Sequence, residues 1–278
     1  MHRSLISPDE LREHIASPEW LVVDCRYDLA DPEAGRRAYL ERHVPGAIYA
    51  HLHDDLSGTP APGRGGRHPL PTPDELTELF SRCGVDHDTQ VVAYDAASGS
   101  IAGRLWWLFR YMGHERVAVL DGGWTAWIAR GCPTDSVPAH RERRTFRGRP
   151  DRRMLVTVEE VSMTPLLVDS RDAQRYRGEI EPLDPVAGHI PRARNRCWKA
   201  NLDEHGLFLS PAKLRRDMES LYAGNDPGAV TFYCGSGVTA CHNVLAAVHA
   251  GLPVPRLYAG SWSEWCSDPA RPVATGSE

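Results

Sequence analysis

The chain repeats itself once, and that repeat bounds its fold more tightly than any other feature. Leu21-Val22-Val23-Asp24-Cys25-Arg26 is answered by Leu166-Leu167-Val168-Asp169-Ser170-Arg171. His43-Val44-Pro45-Gly46-Ala47 is answered by His189-Ile190-Pro191-Arg192-Ala193, and Val91-Val92-Ala93-Tyr94-Asp95 by Val230-Thr231-Phe232-Tyr233-Cys234. Trp124 and Trp127 are answered by Trp262 and Trp265. The order is kept and the offset drifts little, so the repeat is a duplicated domain and not a solenoid unit. Within each half, short apolar runs such as Leu21–Asp24 and Leu166–Asp169 suit strands buried on both faces. Val91–Tyr94 and Val230–Tyr233 are β-branched and aromatic, again strand-like. A small-residue loop follows each. Next comes a helical pattern, Ile101, Leu105, Leu108 and Met112 in one half and Val238, Cys241, Leu245 and Val248 in the other. Gly113 and Gly251 stop these helices as C-caps. The expectation is α/β: two tandem domains, each a mainly parallel sheet flanked by helices.

The 278 residues fit two domains. Proline and arginine gather over Thr134–Arg153, which divides the chain into residues 1–136, a linker at 137–153 and a second domain at 154–278. A net charge of -5 argues against nucleic acid as a partner. The basic run Arg141, Arg143, Arg144, Arg147, Arg149, Arg152 and Arg153 is expected to be a solvated linker. No apolar run approaches the roughly 20 residues that a bilayer requires, and the first residues lack an apolar signal core. No membrane association and a cytoplasmic location are expected. Seven cysteines, an odd number without a C-x-x-C pair, argue against a disulfide framework and a zinc ribbon. His51 and His53 would share one face of a strand, but no third ligand is spaced to join them. They read as surface histidines, and no metal is expected.

Chemistry concentrates at Cys234. In an α/β sheet, ligands bind beyond the carboxyl ends of the strands, and Cys234 ends one strand and opens Cys234-Gly235-Ser236-Gly237-Val238-Thr239. Two glycines let the backbone curl so that successive N–H groups converge on one point. The helix that follows adds its positive end. Such a setting favours the thiolate, the nucleophilic form of cysteine. Read bare, the same segment is a buried cysteine before an ordinary glycine turn.

With the duplicated framework around it, the chain resembles tandem-domain rhodanese-like sulfurtransferases over nearly its whole length. The resemblance rests on the paired Asp24/Arg26 and Asp169/Arg171, the paired His-x-Pro-x-Ala segments, Asp121-Gly122-Gly123-Trp124 and the Cys234 loop. The loop is similar to that of the 3-mercaptopyruvate sulfurtransferase branch; the thiosulfate branch places basic residues where this chain has Gly235 and Ser236. The resemblance implies a Cys234 persulfide with no further cofactor, a small-molecule sulfur donor, and a thiol, cyanide or thioredoxin-like acceptor. It implies that the first domain is catalytically silent, because Asp95 holds the cysteine's place. Gly235, Gly237, Val238 and Thr239 would form the cradle, and Arg175 would bind the substrate carboxylate. Ser236, His68 and Asp55 would form a relay, with Asp54 and His53 as alternatives for its last member. Two departures stand out: Leu183 replaces a second substrate arginine, and Arg192 replaces the usual glycine after Ile190-Pro191.

Three other readings compete. Thiosulfate could be the donor to the same cysteine. A cysteine phosphatase would also cradle an anion, but it needs an arginine six positions after the cysteine, where this chain has Ala240. A non-enzymatic rhodanese-like interaction module would not need the intact loop.

Overall fold

Apolar runs without alternation demand burial on both faces, and a parallel sheet between helices provides it. The computed structural model describes residues 1–277 and divides into two compact units. The first comprises residues 1–57, 71–151 and 204–207; the second comprises 58–70, 152–203 and 208–277.

In chain order the first unit holds β1 (Leu5–Ile6), α1 (Pro8–Arg12), β2 (Trp20–Asp24), α2 (Ala34–Glu41), β3 (Ile48–Tyr49), α3 (Pro73–Arg82), β4 (Gln90–Tyr94), α4 (Ala102–Tyr111), β5 (Val117–Leu120) and α5 (Gly123–Ala129). Its sheet is wholly parallel in the order β1-β5-β4-β2-β3. The second unit holds β6 (Leu166–Asp169), α6 (Ala173–Tyr176), β7 (Arg194–Asn195), α7 (Pro211–Tyr222), β8 (Val230–Tyr233), α8 (Ala240–His249), β9 (Arg256–Leu257) and α9 (Ser261–Trp265). Its sheet, also parallel, runs β7-β6-β8-β9. The two strands read as β6 and β8 coincide with the observed ones. Short strands such as β1 and β7 escaped notice because two residues carry no periodicity. Helix α3 was also missed, although Thr72 and Glu75 form a capping box at its start.

Register carries the repeat into three dimensions. Asp24 pairs with Tyr94 and Asp169 with Tyr233, so each acidic strand end lies beside the strand that delivers Asp95 or Cys234. Arg26 and Arg171 fold back on these carboxylates at 2.6 Å, both pairs buried. The guanidinium carbons sit 4.5 Å from the Trp124 ring centre and 4.9 Å from that of Trp262. The recurring tryptophans are therefore core groups that also cover a buried cation. His43 and His189 repeat as structural groups: each bonds through Nδ1 to a tyrosine carbonyl and stacks on that tyrosine's ring.

Three expectations need correction. The basic segment is solvated only in part: Arg147, Arg149, Arg152 and Arg153 are exposed, whereas Arg141 donates to the carbonyls of Trp20 and Pro18, Arg143 pairs with Glu78, and Arg144 pairs with Asp86. Its first three arginines are tied to the first unit by two backbone carbonyls and two carboxylates. His51 is not a surface residue; it is 3% exposed and bonds to the Pro32 carbonyl. Residues 58–70 lie in the first half of the sequence yet pack in the second unit, anchored by Gly65 N–H to Glu264 and Arg67 N–H to Ser263.

The departure at Arg192 has a visible consequence. Its φ is +68°, the same left-handed region as its counterpart Gly46 at +72°. A side chain there costs about 1–2 kcal/mol. Arg192→Gly is expected to stabilise the protein by about 1 kcal/mol after the added freedom of the unfolded chain is counted; urea midpoints of the two proteins measure it.

Candidate functional site

The first unit shows what its small-residue loop is built to do. The buried Asp95 carboxylate accepts four backbone N–H groups at 2.8–2.9 Å, from Ala97, Gly99, Ile101 and Ala102. Two oxygens, four donors and a helix end make this a complete anion nest. In the second unit the loop from β8 to α8 runs over residues 234–239, one residue shorter than residues 95–101 between β4 and α4, and it too leads from a strand end into a helix. Cys234 stands in the place of Asp95.

Neighbouring backbone holds the second loop in shape. Cys234 N–H donates to Ser261 Oγ at 3.1 Å, and the carbonyls of Cys234 and Gly235 accept the N–H groups of Trp262 and Ser263. Gly237 has φ +75°, and a Cβ there would fall 2.2 Å from the Ala259 carbonyl oxygen. Only glycine satisfies both constraints. Val238 and Ala240 are buried, and Thr239 leads into α8. Cys234 is 2% exposed, at the floor of this loop.

Around it the structure gathers some expected residues and some unexpected ones. His68 Nδ1 lies 2.8 Å from Ser236 Oγ, and both side chains are buried. The segment 58–70 thus carries His68 to the loop within the second unit. Asp55 belongs to the first unit, where it pairs with Arg82 and accepts the His51 N–H. Arg175 lies over Gly235: its two terminal nitrogens would be 3.4 and 3.5 Å from a Cβ added there. Arg67 is the unexpected neighbour, with Nη2 at 3.1 Å from the same point. No local pattern marked Arg67, because its partners lie over a hundred residues away.

Two buried carboxylates organise these cations. Glu181 binds Arg171 at 3.1 Å and Arg175 at 2.6 Å. Asp184 binds Arg67, and Arg175 at 3.4 Å. Burial works to raise the Glu181 pKa, but the hydrogen bond and charge of Arg175, with Arg171, outweigh it and hold this carboxyl below its ordinary value. At Asp184 burial wins over Arg67 and the carboxyl is raised, with Glu181 adding to the effect. The acidic run Glu179-Ile180-Glu181-Pro182-Leu183-Asp184 beside Arg175 was the available signal for both. A cavity of about 520 Å³ borders Arg67 and Asp184, but Cys234 is not among its walls. Among the described residues no cluster of three or more potential metal ligands occurs. No helix there is long and apolar enough to cross a membrane.

Parallel-sheet domains in tandem, one with a cysteine at the head of a glycine-rich loop from strand to helix, define a class of sulfur-handling proteins. The Rhodanese-like domain family matches residues 7–130 and again 157–268, and the chain belongs to that family. It is 45% identical to a Pseudomonas aeruginosa protein named "Probable 3-mercaptopyruvate sulfurtransferase", over 98% of each chain. A thiosulfate sulfurtransferase of Cricetulus griseus is 37% identical, covering 95% of this chain and 92% of its own. The solved 3-mercaptopyruvate sulfurtransferase from Leishmania major superposes with a TM-score of 0.84 at 30% identity, covering 95% of this chain and 74% of that one. The protein is an enzyme, a sulfurtransferase.

Two outcomes test this site physically. Asp95→Asn removes the charge from four hydrogen bonds and is expected to cost about 2–4 kcal/mol, read by urea unfolding of the first unit. Glu181 has its folded pKa depressed, so its contribution is complete above its ordinary value of 4.5 and is lost as pH falls through the depressed one. Urea midpoints between about pH 3 and pH 6 should therefore fall more steeply on acidification for the wild type than for Glu181→Gln.

Proposed function

We propose that the enzyme moves sulfur from 3-mercaptopyruvate to a nucleophilic acceptor through a persulfide on Cys234. The observation that carries this reading is the Asp95 nest. Aspartate presents its oxygens on a Cβ–Cγ–Oδ chain, and a cysteine persulfide presents its outer sulfur on a Cβ–Sγ–Sδ chain of the same number of atoms. The loop that donates four hydrogen bonds to a carboxylate in one unit has a glycine-rich counterpart, one residue shorter, in the other, and this likeness supports a cradle for a terminal sulfur anion there. The first domain, with its nest filled by its own carboxylate, is silent.

The Cys234 thiolate attacks the sulfur of 3-mercaptopyruvate. An S–S bond forms, the C–S bond breaks, and its electron pair leaves on the pyruvate enolate. Ser236 donates a proton to the enolate carbon and is reprotonated through His68, whose Nδ1 lies 2.8 Å away. Asp55 remains the candidate acid of this relay. The acceptor then attacks the outer sulfur, and the Cys234 thiolate leaves. A cellular thiol, a thioredoxin-like protein or cyanide has the required nucleophilicity. Because the sulfur travels on the cysteine itself, the chemistry calls for no cofactor. Seven cysteines, an odd number without a C-x-x-C pair, suit a reducing compartment, which we take to be the cytoplasm.

The 3-mercaptopyruvate branch is favoured over thiosulfate by the uncharged Gly235-Ser236 and by the guanidinium groups above them. A basic side chain at residue 235 would meet Arg67 and Arg175. Thiosulfate is the second reading, supported by the thiosulfate sulfurtransferase relative.

Cys234→Ser is expected to lose sulfur transfer from both donors, and the wild type should gain one sulfur atom by mass spectrometry after exposure to donor. In a side-by-side assay kcat/KM should be higher for 3-mercaptopyruvate; a clear preference for thiosulfate would reverse the choice of donor and leave the persulfide standing.

A further inference from the structure

Arg67 was not expected at the site, and its geometry gives it work there. We propose that Arg67 is a specificity-determining residue: with Arg175 it forms a two-guanidinium seat for the carboxylate of a small 2-oxo acid donor, supplying the contact that Leu183 cannot. This rests on the assignment of 3-mercaptopyruvate as donor.

The two cations reach the site from distant parts of the chain and converge on one point. A Cβ on Gly235 would meet Arg67 Nη2 at 3.1 Å and Arg175 Nη1 at 3.4 Å. Each guanidinium is anchored on its other side, Arg67 by Nη1 on Asp184 and Arg175 by Nη2 on Glu181 and Asp184. Among the described residues Arg67 Nη2 and Arg175 Nη1 have no hydrogen-bond partner, so one nitrogen of each fork remains to take a ligand oxygen. Asp184 lies between the like charges, with its side chain 3% exposed, and holds the two cations together without occupying Arg67 Nη2 or Arg175 Nη1. Leu183 is 44% exposed; its backbone N–H caps Glu181, and its side chain offers no donor.

Chemistry sets the class of ligand. A planar carboxylate matches two N–H groups side by side. Gly235 is next to Cys234, and in 3-mercaptopyruvate three bonds separate the carboxylate carbon from the sulfur. An anion seated over Gly235 therefore keeps its sulfur in the neighbourhood of the Cys234 thiol. The seat binds the substrate's carboxylate; the nest of the loop holds the transferred sulfur.

The test compares 3-mercaptopyruvate with mercaptoacetone, which has the same thiol and ketone but no carboxylate. Two variants are used: Arg67→Gln, and Arg67→Lys, which keeps a positive charge against Asp184. The ratio of kcat/KM for 3-mercaptopyruvate over mercaptoacetone is expected to fall about 10- to 100-fold in Arg67→Gln and by less in Arg67→Lys. The loss should appear mainly in KM, and pyruvate should weaken as a competitive inhibitor by a similar factor. An unchanged ratio, or an equal loss with both donors, would overturn the proposal, because a residue that merely supports the fold cannot distinguish them. Sulfur loading of wild-type Cys234 by 3-mercaptopyruvate is followed separately by mass: its absence would sink the donor assignment, whereas loading with an unchanged ratio sinks only the role of Arg67.

Discussion

A buried guanidinium resting on a buried carboxylate, once in each unit, governs the carboxyl end of each sheet. Arg171 on Asp169 is the more consequential copy. Neither charge could be buried alone without losing several kcal/mol, so the strand end, the arginine and the tryptophan that covers it are packed as one group. Arg171 also reaches Glu181 and the Gly188 carbonyl. Through Glu181 the same pair sets Arg175, and through Asp184 the network extends to Arg67. The cations over the Cys234 loop are thus the outer end of a chain of ion pairs that begins in the core.

The duplicated loops both leave a strand end and enter a helix, with an aspartate at the head of one and a cysteine at the head of the other. Four N–H groups aimed at a point are expensive to leave empty in a buried site. In the first unit Asp95 fills the point permanently, so that loop is part of the scaffold. In the second unit a cysteine stands at the same strand end, at the head of a loop one residue shorter. A change of residue type at the strand end and one residue fewer in the loop separate the two copies, while strand and helix recur.

Much of this was legible from residues alone, for a physical reason: burial on both faces and loop curvature leave local marks. Unalternated apolar runs located β2, β4, β6 and β8, glycine punctuation located the ends of α4 and α8, and the Cys-Gly-Ser-Gly spacing located the cradle. Ser236 and His68, named from a resemblance, do meet in the second unit. What stayed hidden was long-range. Arg67 carries no periodic or motif signal, and its value lies in partners such as Asp184 and Ser263 that folding brings to it. In the basic segment solvated and anchored arginines have the same composition; only the acceptors at Trp20, Glu78 and Asp86 tell Arg141, Arg143 and Arg144 from the exposed Arg147, Arg149, Arg152 and Arg153.

The sequence by itself determined the duplication, the parallel α/β class, and the one position where a nucleophile replaces a carboxylate, because each depends on residue type and short spacing. Tertiary structure decided which unit residues 58–70 join, how Arg67 and Arg175 come to share one point over Gly235, and where Asp55 spends its charge. Those outcomes depend on Coulomb and hydrogen-bond partners remote in the chain, and a charge does not announce its partner until both have been buried together.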